Sequence, residues 1–176
     1  MIRLTSFTIF AIVAFISLAA ANQNNPQMRL LDDLDYPGEG YCIDVPGIGQ
    51  TARIDLPLVM HNCLPDRNSL DRFALEFDGR IRMPAYEACI TAFGVFSPLP
   101  GVPVILRECG VTESFLRADK FQKFKRNAEN QLRLDGTNLC LSAGPVSDKT
   151  YSANHRWRTL TLENCTDVPL SLSVWK

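Results

Sequence analysis

Residues 58–63 read LVMHNC, with apolar residues five and three positions before Cys63. Apolar residues at every second position predict a strand with one buried face. The same arrangement recurs as VILREC at residues 104–109 and as LTLENC at residues 160–165. The sequence therefore contains three related strands that each end in a cysteine, and it predicts a structural repeat.

The six cysteines fall into three couples whose members lie 21, 20 and 25 residues apart. An even cysteine count in a secreted chain is typical of disulfide bonds, and six cysteines allow 15 pairings. The spacing favours pairing within consecutive couples, namely Cys42 with Cys63, Cys89 with Cys109, and Cys140 with Cys165.

An aromatic residue follows the second cysteine of each couple, at Phe73, Phe124 and Trp175. An apolar-Arg-apolar triplet follows the first two aromatics, at 81–83 and 132–134, but only Lys176 follows Trp175. The missing triplet stands near the N-terminus, at 28–30. We therefore expect residues 28–30 to pair near Trp175 and close the domain.

The repeats, at about 42–83, 84–134 and 135–176, resemble the ricin B-type β-trefoil lectins. The residues that carry the resemblance are CIDV at 42–45, QKF at 122–124, LCLSAG at 139–144 and SVW at 173–175. The resemblance implies an all-β fold, a β-trefoil whose twelve strands form a short barrel and its hairpin cap. It also implies that Phe73, Phe124 and Trp175 are core residues and that the protein binds carbohydrate.

The galactose-type sites of that family use an Asp two residues after the first cysteine and an aromatic two residues before the second. Asp44 matches the Asp, His61 stands at the aromatic position, and Asp71 replaces the Gln of the Q-x-W motif. These three residues are the candidate ligand-binding residues. Repeats two and three carry Thr91 and Ser142 in place of the Asp, so we expect them to be poor galactose sites.

Two roles stay open for each of the first two candidates. Asp44 either binds a ligand or hydrogen bonds to the backbone in the turn at Pro46 and Gly47. His61 either stacks on a sugar ring or is an exposed residue after a strand. With Asp71 nearby, Asp44 would be repelled unless an arginine or a cation intervened.

Residues 1–21 have the pattern of a secretory signal peptide: a basic start, an apolar run over residues 7–20 and a small-residue cleavage site near Ala21. The run is short for a membrane span, so an uncleaved anchor is the less favoured alternative. Residues 22–41 are an N-terminal segment with an acidic surface loop, DDLDYPGEG at 32–40, and residues 42–176 are the repeat domain. The expected location is extracellular or periplasmic.

The formal charge of −1 does not indicate a nucleic-acid partner. The basic cluster at Lys120, Lys123, Lys125 and Arg126 is interpreted as a solvated face. His61 and His155 are the only histidines, and no catalytic or metal-binding motif occurs, so we expect no enzyme activity, metal or cofactor.

The expected partner is a glycan or glycoprotein. A rival hypothesis is a protein-binding trefoil, such as a protease inhibitor or the targeting subunit of a toxin, that uses the loops at 94–103 or 143–155. The sequon Asn164-Cys165-Thr166 is a glycosylation candidate only in a eukaryotic secretory pathway.

Overall fold

The computed structural model describes residues 27–47, 49–64, 72–112, 117–152 and 154–176. The predicted signal peptide at 1–21 and the candidate Asp71 lie outside these ranges. The described strands are β1 (Tyr41–Asp44), β2 (Val59–Asn62), β3 (Ala74–Leu75), β4 (Ile81–Met83), β5 (Ala88–Ala92), β6 (Val102–Glu108), β7 (Phe124–Arg126), β8 (Leu132–Leu134), β9 (Leu139–Ala143), β10 (Asp148–Lys149) and β11 (Arg156–Asn164).

Helix is confined, in the described ranges, to short pieces. These are α1 (Ala118–Phe121), α2 (Leu170–Ser173) and two 3₁₀ turns at Gly49–Thr51 and Pro84–Tyr86. The fold is therefore all-β, as the sequence predicts.

The three strands with alternating apolar residues are β2, β6 and β11. β11 pairs antiparallel with both β2 and β6. The backbone N–H of Leu58, the residue before β2, donates to the carbonyl of Val104 in β6 at 2.9 Å. The three strands thus contact one another. The eleven strands together form one antiparallel, nearly closed sheet that resembles a barrel.

The register repeats three times along the chain. The arginine of each apolar-Arg-apolar triplet lies opposite the first cysteine of the following couple: Arg29 opposite Cys42, Arg82 opposite Cys89, and Arg133 opposite Cys140. The flanking apolar residues of the triplets are buried. The sequence repeat is therefore also a repeat of strand pairing.

Residues 28–30 lie beside the last residues of the chain. Leu30 pairs with Trp175, and the backbone N–H of Leu31 donates to the carbonyl of Val174 at 2.9 Å. The pairing is an isolated bridge and not a strand ladder. It corresponds to the ladder in repeat two, where Phe124 pairs with Leu134.

The three repeat aromatics belong to one hydrophobic core. Phe73, Phe124 and Trp175 are at most 2% exposed, and the indole Nε1–H of Trp175 donates to the carbonyl of Leu141 at 3.1 Å. Their expected core position is confirmed. Replacing one of them with alanine removes packing worth about 3–5 kcal/mol of folding free energy.

Each couple of cysteines forms a disulfide: Cys42–Cys63, Cys89–Cys109 and Cys140–Cys165. The Cα atoms of the pairs lie 4.9–5.0 Å apart, within the usual range for disulfides. In the chain-entropy account, closing loops of this size stabilises the folded state by about 3 kcal/mol per bond. The assignment of this disulfide-linked, barrel-like fold to the β-trefoils remains a prediction.

Candidate binding cleft

An open cleft of about 980 Å³ lies between the loop at 44–52 and the segment at 150–157, with His61 and Tyr86 also in its wall. We call it the Asp44 cleft. Its sides come from different repeats, since residues 44–61 belong to repeat one and residues 150–157 to repeat three. The pairing of β2 with β11 brings these parts together.

Asp44 stands at the end of β1. Its Oδ1 accepts a hydrogen bond from the backbone N–H of Val45 at 2.7 Å, and its Oδ2 lies 4.0 Å from Nδ1 of His61. The side chain remains 22% exposed and lines the cleft. This backbone contact is thus to the neighbouring Val45, whereas the structural interpretation expected one in the turn at Pro46 and Gly47. The carboxylate also lines the space required by the binding interpretation.

The loop after Asp44 is a tight turn. The backbone N–H of Arg53 donates to the carbonyl of Pro46 at 2.7 Å. Gly47 has a φ of +101°, and a Cβ atom built on it would lie 2.4 Å from the carbonyl oxygen of Thr51. Only glycine fits this backbone, which holds one rim of the cleft in place.

His61 lies within β2 and not after it, and its side chain is only 14% exposed, so the alternative of an exposed residue after the strand is wrong. Its Nδ1 is 3.1 Å from the carbonyl of Asn62. Because a carbonyl only accepts, Nδ1 is the donor in this contact. The ring meets that of His155 edge to face, with the centroids 5.3 Å apart.

Three aromatic side chains complete the wall of the cleft. Trp157 lies directly opposite His61 in the pairing of β2 with β11 and is half-buried. Tyr86, from the 3₁₀ turn of repeat two, is also half-buried, whereas Tyr151 is fully exposed. The cleft thus combines a carboxylate with several aromatic side chains.

A network beneath the loop at 143–155 supports one side of the cleft. Asp35 accepts hydrogen bonds from Ser147, from the buried guanidinium of Arg158 and from the hydroxyl of Tyr41. Burial acts to raise the pKa of Asp35, but these hydrogen bonds outweigh it and hold that pKa well below its usual range. Asp35 therefore ties the acidic loop to Ser147 and to Arg158 of β11, beside the cleft.

The positions that correspond to Asp44 are closed in the other two repeats. Thr91 and Ser142 are at most 1% exposed. The Thr91 hydroxyl accepts from the buried amide of Gln122 at 2.9 Å, and the Ser142 hydroxyl lies 3.1 Å from the carbonyl of Ala143. Phe121, the residue before Gln122, is also buried. Both hydroxyls are therefore buried, whereas Asp44 in repeat one lines an open cleft.

A second, smaller cleft of about 670 Å³ contains part of the basic cluster. Arg80 and Arg117 line it, but they form ion pairs with Asp78 and Asp119. Outside this cleft, the ammonium of Lys125 lies 2.8 Å from Asp135 and lowers the pKa of that carboxyl. Within the cluster itself, Lys120, Lys125 and Arg126 are exposed and Lys123 is half-buried, as expected for a solvated face.

The described residues contain no group of three or more histidine, cysteine or acidic side chains that could hold a metal ion. Within the same ranges, no helix has the length and apolar character needed to cross a membrane.

Sequence reasoning missed most of the wall of the cleft. It identified Asp44 and His61, but not His155, Trp157, Tyr86 or Tyr151 as parts of the same site. The available signal was the segment at 150–157, TYSANHRW, which follows a Gly- and Pro-containing loop and is rich in rings and hydroxyls. Because this segment is about 100 residues from Asp44 in the sequence, its position in the same cleft could not be inferred.

No family model matches the chain, and no curated protein matches it. Among solved structures, the chain is similar to the solution structure of the mdaA-1 domain, with a TM-score of 0.55 and 15% sequence identity. The similarity covers 90% of this chain and 95% of that domain. At this level of identity, the similarity is evidence about the fold alone.

Proposed function

We propose that the protein is a secreted, lectin-like carbohydrate-binding module whose ligand occupies the Asp44 cleft. The observation that carries this proposal is the combination, in one open cleft, of the Asp44 carboxylate with the aromatic side chains of His61 and Trp157. Carboxylates accept hydrogen bonds from sugar hydroxyl groups, and aromatic rings cover the apolar faces of sugar rings. We propose binding of the carbohydrate and no catalysed reaction.

The proposal includes a β-trefoil fold with degenerate galactose-type sites. The threefold register of arginine and cysteine pairs and the mutual contact of β2, β6 and β11 support the fold. In repeat one, the cleft is built around Asp44 with a histidine in place of the stacking aromatic. We therefore assign the binding activity to repeat one and to specificity other than that of a simple galactose site.

The proposal also places the protein outside the cytosol. The three disulfides support this location, because such bonds form and persist in oxidising compartments. Cleavage near Ala21 is testable by N-terminal sequencing of the secreted protein. A mature N-terminus close to residue 22 is the expected result, and a retained leader would contradict it.

The test of binding is a glycan array followed by calorimetry with the oxidised mature chain. Asp44→Asn keeps the size of the side chain but removes its charge, so we expect at least a tenfold loss of affinity. The matched control is Asp119→Asn, which removes an exposed carboxylate outside the cleft and should leave affinity unchanged. Equal binding by wild type and Asp44→Asn would exclude the assigned site.

A second candidate function, protein binding, is favoured by the tip of the β5–β6 hairpin. Phe93, Val95, Phe96 and Leu99 are between 51% and 75% exposed there. The backbone N–H of Gly101 donates to the carbonyl of Leu162 at 2.7 Å, which anchors the tip to β11. Clustered exposed apolar side chains are typical of interaction surfaces.

The rival is tested by the inhibition of a panel of proteases. If the tip is an inhibitory loop, wild type inhibits a member of the panel and Phe96→Ser weakens that inhibition, while Phe77→Ser, at an exposed site elsewhere, does not. Equal inhibition by the two variants would exclude the tip.

A further inference from the structure

We propose that the ligand of the Asp44 cleft is a neutral oligosaccharide of at least three sugar units, bound across repeats one and three; this inference rests on the proposed carbohydrate-binding function. It assigns the length and the charge of the ligand, and it assigns Trp157 and Tyr151 as residues that determine specificity.

The size of the cleft indicates that the ligand contains several sugar rings. Pockets that enclose drug-sized ligands have volumes of about 300–1,000 Å³. At about 980 Å³, the Asp44 cleft lies at the upper end of that range. A single hexose ring has about a dozen non-hydrogen atoms and would leave most of this space to water. A chain of several rings fills it.

The aromatic residues that line the cleft come from separate segments of the chain, which also favours a ligand of several sugar rings. Trp157 is half-buried opposite His61, whereas Tyr151 is fully exposed, and Tyr86 comes from a third part of the chain. One sugar ring stacks on one or two faces, so faces supplied by three separate segments suit consecutive rings of a longer chain. Tyr151 is placed to contact a unit that has already left the interior of the cleft.

The charged side chains that line the cleft favour a neutral ligand. Among the described residues that line the cleft, Asp44 is the only acidic side chain, and none is lysine or arginine. A sialylated or sulfated sugar would bring a negative charge beside this carboxylate, and the only basic side chains in the lining are His61 and His155. Like-charge contacts of this kind discriminate against a ligand. A neutral chain retains its hydroxyl donors for Asp44 and makes no such contact.

The number of contacts explains why a longer oligosaccharide should bind more tightly. Sugar sites that depend on a few hydrogen bonds and one stacked ring are weak, since each contact contributes on the order of 1 kcal/mol. The degenerate positions of repeats two and three offer no second site to compensate. A cleft that binds several linked units gains affinity from additional stacked rings within one site.

The test is calorimetry with neutral oligosaccharides of one to four units from the chitin, cellulose, β-1,3-glucan and mannan series, and with sialylated and sulfated counterparts. We expect the Kd for one neutral series to fall at least tenfold from one unit to three. The anionic counterparts should bind at least tenfold more weakly than the neutral sugars of the same length.

Tyr151→Ala should leave folding intact, because the side chain is fully exposed. It should weaken binding of the trisaccharide by about threefold or more and leave the monosaccharide within twofold, while Trp157→Leu weakens both. Phe77→Ala is the matched control, since Phe77 is equally exposed but lies outside the cleft.

The outcomes separate this inference from the proposed function. Binding of a monosaccharide as tightly as its trisaccharide, preference for an anionic sugar, or an unchanged trisaccharide Kd in Tyr151→Ala would overturn the inference and leave a lectin. Failure of the folded, oxidised protein to bind any sugar in the panel, neutral or anionic, would overturn the proposed function as well.

Discussion

Replacing Arg158 with methionine tests how the cleft is supported. The guanidinium is 5% exposed, donates to the carbonyl of Gly144 at 2.7 Å, pairs with Asp35 and lies 4.8 Å from the ring centre of Tyr41. A hydrogen bond from a charged group contributes about 1.5–3 kcal/mol, and a cation–π contact about 1 kcal/mol. Asp35 is 41% exposed, so its ion pair adds about 1 kcal/mol or less.

Methionine retains part of the buried apolar contact. We therefore expect Arg158→Met to lower the free energy of unfolding by about 2–4 kcal/mol. The assay is urea denaturation at pH 7 with the disulfides intact, in which the midpoint falls at an unchanged slope. Arg156→Met is the matched control, because Arg156 lies on the same strand but is 31% exposed and 3.6 Å from Asp35. A loss no larger than that of the control would refute the reasoning.

The same network predicts a pH dependence. The pKa of Asp35 is lowered in the folded protein from an ordinary value of 3.8, so its ionised form stabilises the fold above that pH. This stabilisation is lost progressively as the pH falls below 3.8. The unfolding midpoint of wild type should therefore fall more steeply between pH 5 and pH 2 than that of Asp35→Asn. Parallel curves would contradict the assigned role of the carboxylate.

Three further substitutions test the fold and the rim of the cleft. Trp175→Ala should cost about 3–5 kcal/mol in urea denaturation, because the indole is 2% exposed; a loss below about 1 kcal/mol would exclude a core role. Gln122→Ala should cost about 2–4 kcal/mol by the same assay, since it leaves buried groups that include the Thr91 hydroxyl without their partner, and a neutral result would contradict this network. Gly47→Ala should distort the turn at Thr51 and weaken sugar binding measured by calorimetry at least threefold; unchanged affinity would show that the turn does not shape the cleft.

The fold was accessible from sequence because its signals are local and repeated. Alternating apolar residues before Cys63, Cys109 and Cys165 predicted β2, β6 and β11, and the cysteine spacing favoured the disulfides that form. The pairing of Leu30 with Trp175 joins distant segments, yet it was inferable because repeat three lacked a triplet that the other repeats possess.

The candidate site was less accessible, because its residues meet only through tertiary structure. Asp44 and His61 were identified from one repeat, whereas Trp157 enters the cleft through the pairing of β2 with β11. The contact between Asp35 and Arg158 spans 123 residues, and nothing in the acidic loop indicates which cation it will meet. Propensity and spacing carry no information about such pairs.

The most direct test of the account is an NMR titration of the ¹⁵N-labelled, oxidised protein with the tightest neutral oligosaccharide from the array. The account predicts saturable shifts of the amides at 44–52 and 150–157 and of the indole N–H of Trp157, with the amides at 93–100 unmoved. Shifts confined to the 93–100 tip, or no shifts at millimolar sugar, would contradict the assignment of the Asp44 cleft as a sugar site.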